Sequence, residues 1–179
     1  MKQLLILRHA QALGTEIGGS DKTRKLSPNG HADAKALGKC MVKDELRPDL
    51  VLCSSAVRTR ETLADVLNSY DDLETHFIDQ LYNSDFLTLK QNIHEISDDV
   101  QSLMIVAHNP GIHELAARLA MDDGSSRVER LLLAYMPATL TVLTCKIERW
   151  SDLVDYSNVV SALYETSEYN ASDRPTRWM

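Results

Sequence analysis

Two arginines and two histidines follow three apolar runs of the sequence. Arg8 and His9 come directly after the run LLIL, Arg58 comes shortly after LVLC, and His108 comes directly after LMIVA. The planar guanidinium group of arginine holds phosphate oxygens through paired hydrogen bonds, and a neutral imidazole can attack phosphorus and carry it covalently. A second imidazole can donate a hydrogen bond to the phosphoryl oxygens as their charge grows in the transition state. These four residues therefore predict a site for phosphoryl transfer.

The apolar runs indicate the elements that would bring these side chains together. Short apolar runs are typical of buried strands, and each is followed by a segment in which apolar residues recur at helical spacing. We predict strands at residues 4–7, 50–53, 75–78 and 103–107 and helices at residues 31–43, 57–70, 85–96 and 112–120. This alternation predicts a mostly parallel sheet with helices on both faces, whose strands end at one common edge. Ligands of such sheets bind beyond the carboxyl ends of the strands.

The last part of the sequence predicts an antiparallel edge. Residues 121–130 are polar and loop-like, and two predicted strands, at residues 139–147 and 159–164, follow each other without a full helix between them. We therefore expect an α/β fold, a three-layer α/β/α sandwich with a mostly parallel central sheet and an antiparallel edge. Residues 1–164 are expected to form one domain, and residues 165–179 a polar C-terminal tail that is loosely held.

The composition restricts the class of protein. The net charge of -7 and the pI near 5.3 argue against broad binding to nucleic acids or anionic membranes, because both need a basic surface. Cys40, Cys53 and Cys145 show no metal-like pairing, and we expect reduced thiols in a cytoplasmic protein. The apolar run after Lys2 is shorter than a signal-peptide core, and no apolar stretch reaches the length of about 18 residues that spans a membrane. We expect no cofactor and no metal, since the site histidines lack ligand companions at suitable spacing.

The charged residues near the predicted site allow two interpretations. The loop at residues 11–29 carries Asp21 and several basic residues, and such a long loop is either functional or simply solvated. Arg58 and Arg60 lie in the first turn of a predicted helix, where the helix dipole disfavours cations. An anion bound at this helix end would resolve the conflict. Alternatively, both arginines extend into solvent at a small energetic cost.

The three motifs resemble those of the histidine phosphatase (phosphoglycerate mutase-like) superfamily. LRHA is similar to its arginine–histidine signature, SSAVRTRET to its second arginine motif, and HNPG to the motif of its second histidine. The resemblance implies that His9 is the phosphorylated nucleophile and that Arg8, Arg58 and His108 form the phosphate pocket. It extends over most of the chain and weakens in the tail.

Within this superfamily the chain is most similar to the small SixA-type phosphohistidine phosphatases. Residues 21–30 resemble the segment that follows the first motif in that group, and the short chain leaves no room for the helical cap domain of the mutases. An uncapped site would admit a protein surface. The resemblance therefore implies a phosphohistidine protein phosphatase, whose substrate is a phosphorylated protein such as a histidine phosphotransfer domain of a bacterial two-component relay.

One position departs from the wider superfamily. Its mutases and sugar-phosphate phosphatases carry a glutamate proton donor where this sequence has Asn83, and an amide cannot act as that acid. An alkoxide leaving group needs the proton, whereas an imidazole is less basic, so Asn83 favours a P–N bond as the substrate. Asp21, as a possible proton donor or substrate contact, or Asp85 could supply an acid instead. A phosphomonoesterase acting on a small metabolite or phosphopeptide and a non-catalytic phosphate-recognition module are the alternatives.

Overall fold

Six strands of the described residues, 1–169, form a mixed sheet at the centre of the computed structural model. In chain order they are β1 (Lys2–Arg8), β2 (Leu50–Ser54), β3 (Glu74–Ile78), β4 (Ser102–Ala107), β5 (Leu140–Cys145) and β6 (Val159–Tyr164). Across the sheet their order is β3-β2-β4-β1-β5-β6. The first four strands are parallel, β5 is antiparallel to β1, and β6 is antiparallel to β5. The predicted parallel sheet with an antiparallel edge is therefore confirmed.

Helices cover both faces of this sheet. They are α1 (Pro28–Lys43), α2 (Val57–Val66), α3 (Phe86–His94), α4 (Gly111–Leu119), α5 (Ser126–Leu133) and α6 (Thr166–Tyr169). An apolar cluster that contains Leu37 and Leu63 packs α1 and α2 against one face. A second cluster, with Leu89, Leu115 and Leu131, packs α3, α4 and α5 against the other. This is the predicted three-layer sandwich without a separate helical cap domain, and no helix among residues 1–169 is long and apolar enough to cross a membrane.

The central strand β1 explains the unbroken apolar run near the start of the sequence. Successive side chains of a strand point to opposite faces, so Leu5 and Leu7 contact the layer of α1 and α2, whereas Leu4 and Ile6 contact the opposite layer. All four side chains are fully buried. Because helices cover both faces, neither face needs polar residues until the strand ends at Arg8.

Helix α5 corrects the expectation of a polar loop at residues 121–130. Its N-cap residue is Ser125, whose side chain accepts a hydrogen bond from the Val128 N–H at 3.4 Å. One helical turn separates Val128 from Leu131, and both are buried against the sheet. The apolar positions are too few for the helical period to stand out in the sequence, so the capping serine was the available signal.

Two other helix boundaries differ from the prediction. Helix α1 begins at Pro28 rather than residue 31, because Ser27 caps it by accepting a hydrogen bond from the Gly30 N–H at 3.0 Å. Helix α2 ends at Val66, four residues before the predicted end, and a turn follows it. Ser54 and Ser55 precede this helix, and serine is a residue type that the sequence predicts as its cap. That prediction is wrong, because the N-cap residue is Ala56.

The first part of the predicted tail is held against the domain, contrary to the expectation of a loose segment. Residues 165–169 include the helical turn α6, and both Glu165 and Glu168 form ion pairs with Arg130 of α5. The Tyr169 hydroxyl donates a hydrogen bond to the Ala138 carbonyl at 2.7 Å. Residues 170–179, the remainder of the predicted tail, lie outside the described residues.

The three cysteines are free thiols. Cys53 and Cys145 are buried in the two apolar clusters, and burial raises the pKa of each to about 12. These thiols therefore stay protonated and pack as apolar side chains.

Candidate active site

The carboxyl ends of β1, β2 and β4 meet at one edge of the sheet, because these strands are parallel neighbours. Arg8 ends β1 and His9 follows it, Arg58 lies in the first turn of α2, and His108 directly follows β4. These four side chains and Asp21 line one pocket of ≈ 400 Å³. The ring centroids of the two histidines lie 5.1 Å apart. The structure thus brings together Arg8, His9, Arg58, His108 and Asp21, which the sequence suggested for the site.

His9 is held as a neutral imidazole with one unprotonated ring nitrogen. Its Nδ1 lies 2.7 Å from the Ala10 carbonyl oxygen, which can only accept, so Nδ1 carries the proton. Its Nε2 then has a lone pair, which accepts a hydrogen bond from Nε of Arg58 at 3.2 Å. Burial lowers the pKa of His9 to about 4, and the positive charges of Arg58 and Arg8 add to this effect, although the Ala10 hydrogen bond opposes it. At neutral pH, Nε2 is therefore an available nucleophile.

Arg58 turns into the pocket, although it lies at a helix N-terminus. Only 3% of the residue is exposed. Its Nη1 donates to the backbone carbonyl of Asp21 at 2.7 Å, and its Nη2 donates to the carboxylate of the same residue at 2.9 Å. The interpretation that both arginines extend into solvent is thus wrong for Arg58, while the guanidinium of Arg60 lies 4.7 Å from the centre of the Phe77 ring outside the pocket.

His108 and Arg8 each present a buried nitrogen that has no hydrogen-bond partner among the described residues. These atoms are Nδ1 of His108 and Nε of Arg8. Nε2 of His108 lies 2.7 Å from the Ser54 hydroxyl, and burial lowers the pKa of His108 to about 3, with His9 and Arg58 lowering it further. When the serine donates to Nε2, the neutral ring carries its proton on Nδ1. Nδ1 of His108 and Nε of Arg8 are then both hydrogen-bond donors, and an oxyanion in the pocket would accept from them.

The segment after α5 positions Arg8. Nη1 of Arg8 donates to the Tyr135 carbonyl at 2.6 Å, and the Asn109 side-chain amide donates to the same oxygen at 3.1 Å. The Tyr135 side chain is buried, and its hydroxyl donates to the Ile6 carbonyl of β1 at 2.7 Å. Asparagine is a favoured N-cap residue, so its position before α4 predicts that Asn109 caps this helix. The N-cap residue is instead Pro110, and the Asn109 side chain lines the pocket.

Asp21 is an ionised carboxylate on the pocket wall. Its Oδ2 accepts hydrogen bonds from the Tyr82 hydroxyl at 2.7 Å and from Arg58, and its Oδ1 accepts one from Arg24 at 2.9 Å. These contacts, the Tyr82 hydrogen bond first among them, hold the pKa of Asp21 well below its usual range. A carboxylate stabilised in this way is a poor proton donor. Asp85, the other acid considered, caps α3 by accepting the Thr88 N–H at 2.9 Å.

Some residues around the pocket were missed from the sequence. Tyr82 contacts His108 edge-on, with the ring centroids 5.5 Å apart, in addition to holding Asp21. It lies in the loop after the edge strand β3, directly before Asn83, which lines the pocket with a left-handed φ of 49°. Loop residues follow no periodic pattern in the sequence, so the available indication of Tyr82 was its position directly before Asn83.

The four remaining histidines lie outside the pocket lining. His31 and His76 contact carboxylates, whereas His94 and His113 lie within hydrogen-bond distance of backbone carbonyls. Among residues 1–169, no group of three or more histidine, cysteine or acidic side chains could hold a metal ion.

Comparison with known proteins adds independent observations. The model of the histidine phosphatase superfamily (branch 1) matches residues 4–130. An uncharacterized protein of Mycobacterium tuberculosis (strain ATCC 25618 / H37Rv) is 30% identical over 149 residues, which cover 82% of this chain and 91% of the relative. A candidate phosphohistidine phosphatase SixA from Nakamurella multipartitia superposes with a TM-score of 0.78 at 26% identity, covering 92% of this chain and 95% of the other. Its counterpart from Agrobacterium tumefaciens gives a TM-score of 0.77 at 26% identity, with 92% and 97% covered.

Proposed function

The chain belongs to the histidine phosphatase superfamily and is a phosphatase with a histidine nucleophile, and we propose that His9 is this nucleophile and phosphohistidine on another protein its substrate. Nε2 of His9 is unprotonated at neutral pH and faces the pocket beside Arg58. Its lone pair forms a bond to phosphorus, while the bond from phosphorus to the leaving nitrogen breaks and its electron pair stays on that nitrogen. Water then attacks the phosphorus atom of phosphorylated His9, and the bond from phosphorus to Nε2 breaks with its electron pair left on Nε2. The protons of the water leave with inorganic phosphate, which restores the neutral ring.

The other three residues bind the phosphoryl group in this proposal. Arg8 and Arg58 neutralise its negative charge, and Nδ1 of His108 donates to one of its oxygens. Because Tyr135 fixes Arg8 and Ser54 fixes His108 on the side away from the phosphate, both donors are oriented before the substrate arrives.

The observation that carries the choice of substrate is that the described part of the pocket offers no protonated carboxylic acid. Asn83 stands at the position of the glutamate donor, and Asp21, the one carboxylate among the described lining residues, is held in its ionised form. An alkoxide needs a donated proton in order to leave, whereas a protonated phosphohistidine ring leaves as neutral imidazole. A P–N bond therefore suits this pocket better than a P–O bond.

The open architecture supports a protein as the carrier of this phosphohistidine. No cap domain lies over the pocket in residues 1–169, so a side chain on the surface of a folded partner has access to His9. The names of the Nakamurella and Agrobacterium proteins, which include phosphohistidine phosphatase, agree with this substrate class. A histidine phosphotransfer domain of a two-component relay, in the cytoplasm, is the partner that we propose.

The test uses a histidine phosphotransfer domain labelled with radioactive phosphate on histidine. The wild-type protein is expected to release the label and to form an acid-labile phosphoenzyme, and His9→Ala should abolish both. His76→Asn, which removes a histidine outside the pocket, serves as the matched control and should keep the wild-type rate. Arg8→Lys should lower kcat/KM about 100-fold, because it removes the paired hydrogen bonds to the phosphoryl oxygens.

The outcomes separate the alternatives. If wild-type protein releases phosphate no faster than His9→Ala, the proposal is wrong. Efficient turnover of sugar phosphates or nucleotides in preference to phosphohistidine would instead identify a phosphomonoesterase. Failure to trap a phosphoenzyme with any donor would identify a phosphate-recognition module.

A further inference from the structure

A negative charge on the wall of a phosphate pocket calls for an explanation, because it repels the group that the pocket binds. We propose that the carboxylate of Asp21 accepts a hydrogen bond from the protonated imidazole ring of the leaving group and thereby selects P–N over P–O substrates. This inference rests on the proposed function and assigns to Asp21 a role opposite to that of a proton donor.

The geometry leaves room for this contact. A carboxylate has about four lone-pair positions, and the hydrogen bonds from Arg24, Arg58 and Tyr82 occupy three of them. The position left open is on Oδ1, which receives only the Arg24 hydrogen bond from the described residues. The Asp21 side chain lines the pocket and remains 43% exposed. It can therefore accept one more hydrogen bond from a bound group.

The orientation of Arg58 places Asp21 toward the leaving group. In an in-line transfer, the nucleophile and the leaving nitrogen lie on opposite sides of phosphorus. The guanidinium of Arg58 contacts Nε2 of His9 through its Nε and contacts Asp21 through its Nη2. The carboxylate thus lies at the end of this guanidinium that is far from the nucleophile, and the proposal places the leaving ring at this end.

The charges balance for an imidazole leaving group. A phosphohistidine ring that carries a proton on its second nitrogen is a cation bonded to a phosphoryl dianion. When His9 takes the phosphoryl group, the P–N electron pair stays on the leaving nitrogen, and the ring departs as neutral imidazole that keeps its proton. The positive charge moves to the ring of phosphorylated His9, whose Nδ1–H donates to the Ala10 carbonyl. Asp21 favours the reactive, protonated form of the substrate ring, because an anion stabilises a nearby cation.

The same carboxylate works against a phosphate ester. An ester oxygen gains negative charge as the P–O bond breaks, and Asp21 lies close to that charge without a proton to give. One fixed anion therefore assists one class of leaving group and hinders the other, so replacing it should change the ratio of the two activities.

The experiment compares kcat/KM for N-phosphorylimidazole with kcat/KM for 4-nitrophenyl phosphate. The leaving group of the second substrate, 4-nitrophenolate, needs no donated proton and has no positive charge. Both substrates use the same nucleophile and phosphate donors, so their ratio cancels any loss that comes from a displaced Arg58. Asp21→Asn is expected to lower the ratio at least about tenfold, which is the size of one hydrogen bond to a charged group. Asp21→Glu, which keeps the charge, should restore most of the ratio.

Tyr82→Phe is the matched control for a merely structural role. It removes a hydrogen bond that holds Asp21 but keeps the carboxylate charge, so the ratio should stay within about threefold of wild type. A second readout is the single-turnover rate of phosphoenzyme formation from N-phosphorylimidazole at saturating protein. This rate decreases at high pH because the bound substrate ring loses its proton. The pH at the midpoint of this decrease should be about one unit lower in Asp21→Asn.

The inference is overturned if Asp21→Asn lowers both activities equally and leaves the pH profile in place, or if Tyr82→Phe changes the ratio as much. The first result would show that Asp21 only positions Arg58. The second would assign the change in the ratio to the loop that carries Tyr82. If the wild-type protein fails to turn over N-phosphorylimidazole and the labelled phosphotransfer domain, the proposed function fails and this role fails with it. The two failures are therefore distinguishable.

Discussion

The two histidines of the pocket are expected to make the fold less stable as the pH falls from 7 to 5. Burial lowers the pKa of His9 to about 4 and that of His108 to about 3, whereas histidine in an unfolded chain has a pKa of about 6.5. At pH 5 the unfolded state therefore binds a proton on each ring, and the folded state binds neither. When folding lowers the pKa of a group, the resulting stability is fully present at a pH above the pKa in the unfolded state. It is lost as the pH falls toward the pKa in the folded state.

The size of this effect follows from the two pKa differences. Integrating the difference in bound protons between pH 7 and 5 gives about 2 kcal/mol for each histidine and about 4 kcal/mol for the pair. The carboxylates contribute little in this interval, because their ordinary pKa values lie below it. A loss of about 4 kcal/mol is a large part of the stability of a domain of this size.

The measurement is urea unfolding, followed by circular dichroism at both pH values. The wild-type free energy of unfolding should fall by about 4 kcal/mol, and His9→Asn or His108→Asn should each remove about half of this pH dependence. His76→Asn, at an exposed position on β3, is the matched control and should keep the wild-type behaviour. Nitrogen NMR of labelled histidine follows the two ring ionisations directly if a variant folds poorly. A wild-type free energy that is equal at both pH values would refute the reasoning.

Three substitutions test the positioning of the site and its packing. Ser54→Ala removes the hydrogen bond that orients His108 and should lower kcat/KM about tenfold, while a conservative Ser54→Thr should restore part of it. Gly111→Ala would place a methyl group 2.0 Å from the Ser84 carbonyl oxygen, so thermal unfolding should reveal a loss of about 2 kcal/mol or more. Tyr135→Phe leaves buried hydrogen-bonding groups without their partner and should lower the free energy of urea unfolding by about 1 to 3 kcal/mol.

The sheet could be predicted from the sequence because burial on both faces leaves a direct pattern. The run LVLC identified β2, and the structure extends it by the single residue Ser54. Strand β6 was predicted with the bounds that the structure has, Val159–Tyr164. Helix α5 was missed because it is short and buries only two of its apolar side chains, Val128 and Leu131. Such a short helix depends on its cap and on tertiary contacts more than on periodicity.

The core of the site could be predicted for a related reason. Arg8, His9 and His108 follow buried parallel strands, and the topology alone brings such strand ends to one edge. The sequence could not indicate that Ser54 serves a histidine rather than a helix, or that Tyr82 reaches Asp21 from a loop. These contacts depend on the direction of individual side chains, which neither spacing nor composition records.

The pocket concentrates positive charge within a chain whose net charge is -7. Its described lining contains the guanidinium groups of Arg8, Arg24 and Arg58 against the single carboxylate of Asp21. The same arginines help to keep His9 unprotonated. In the proposed function, the charge that binds the phosphoryl group therefore also maintains the nucleophile. In the proposed function, phosphorylation of His9 would place negative charge beside these arginines, and their attraction favours the transfer of the phosphoryl group into the pocket.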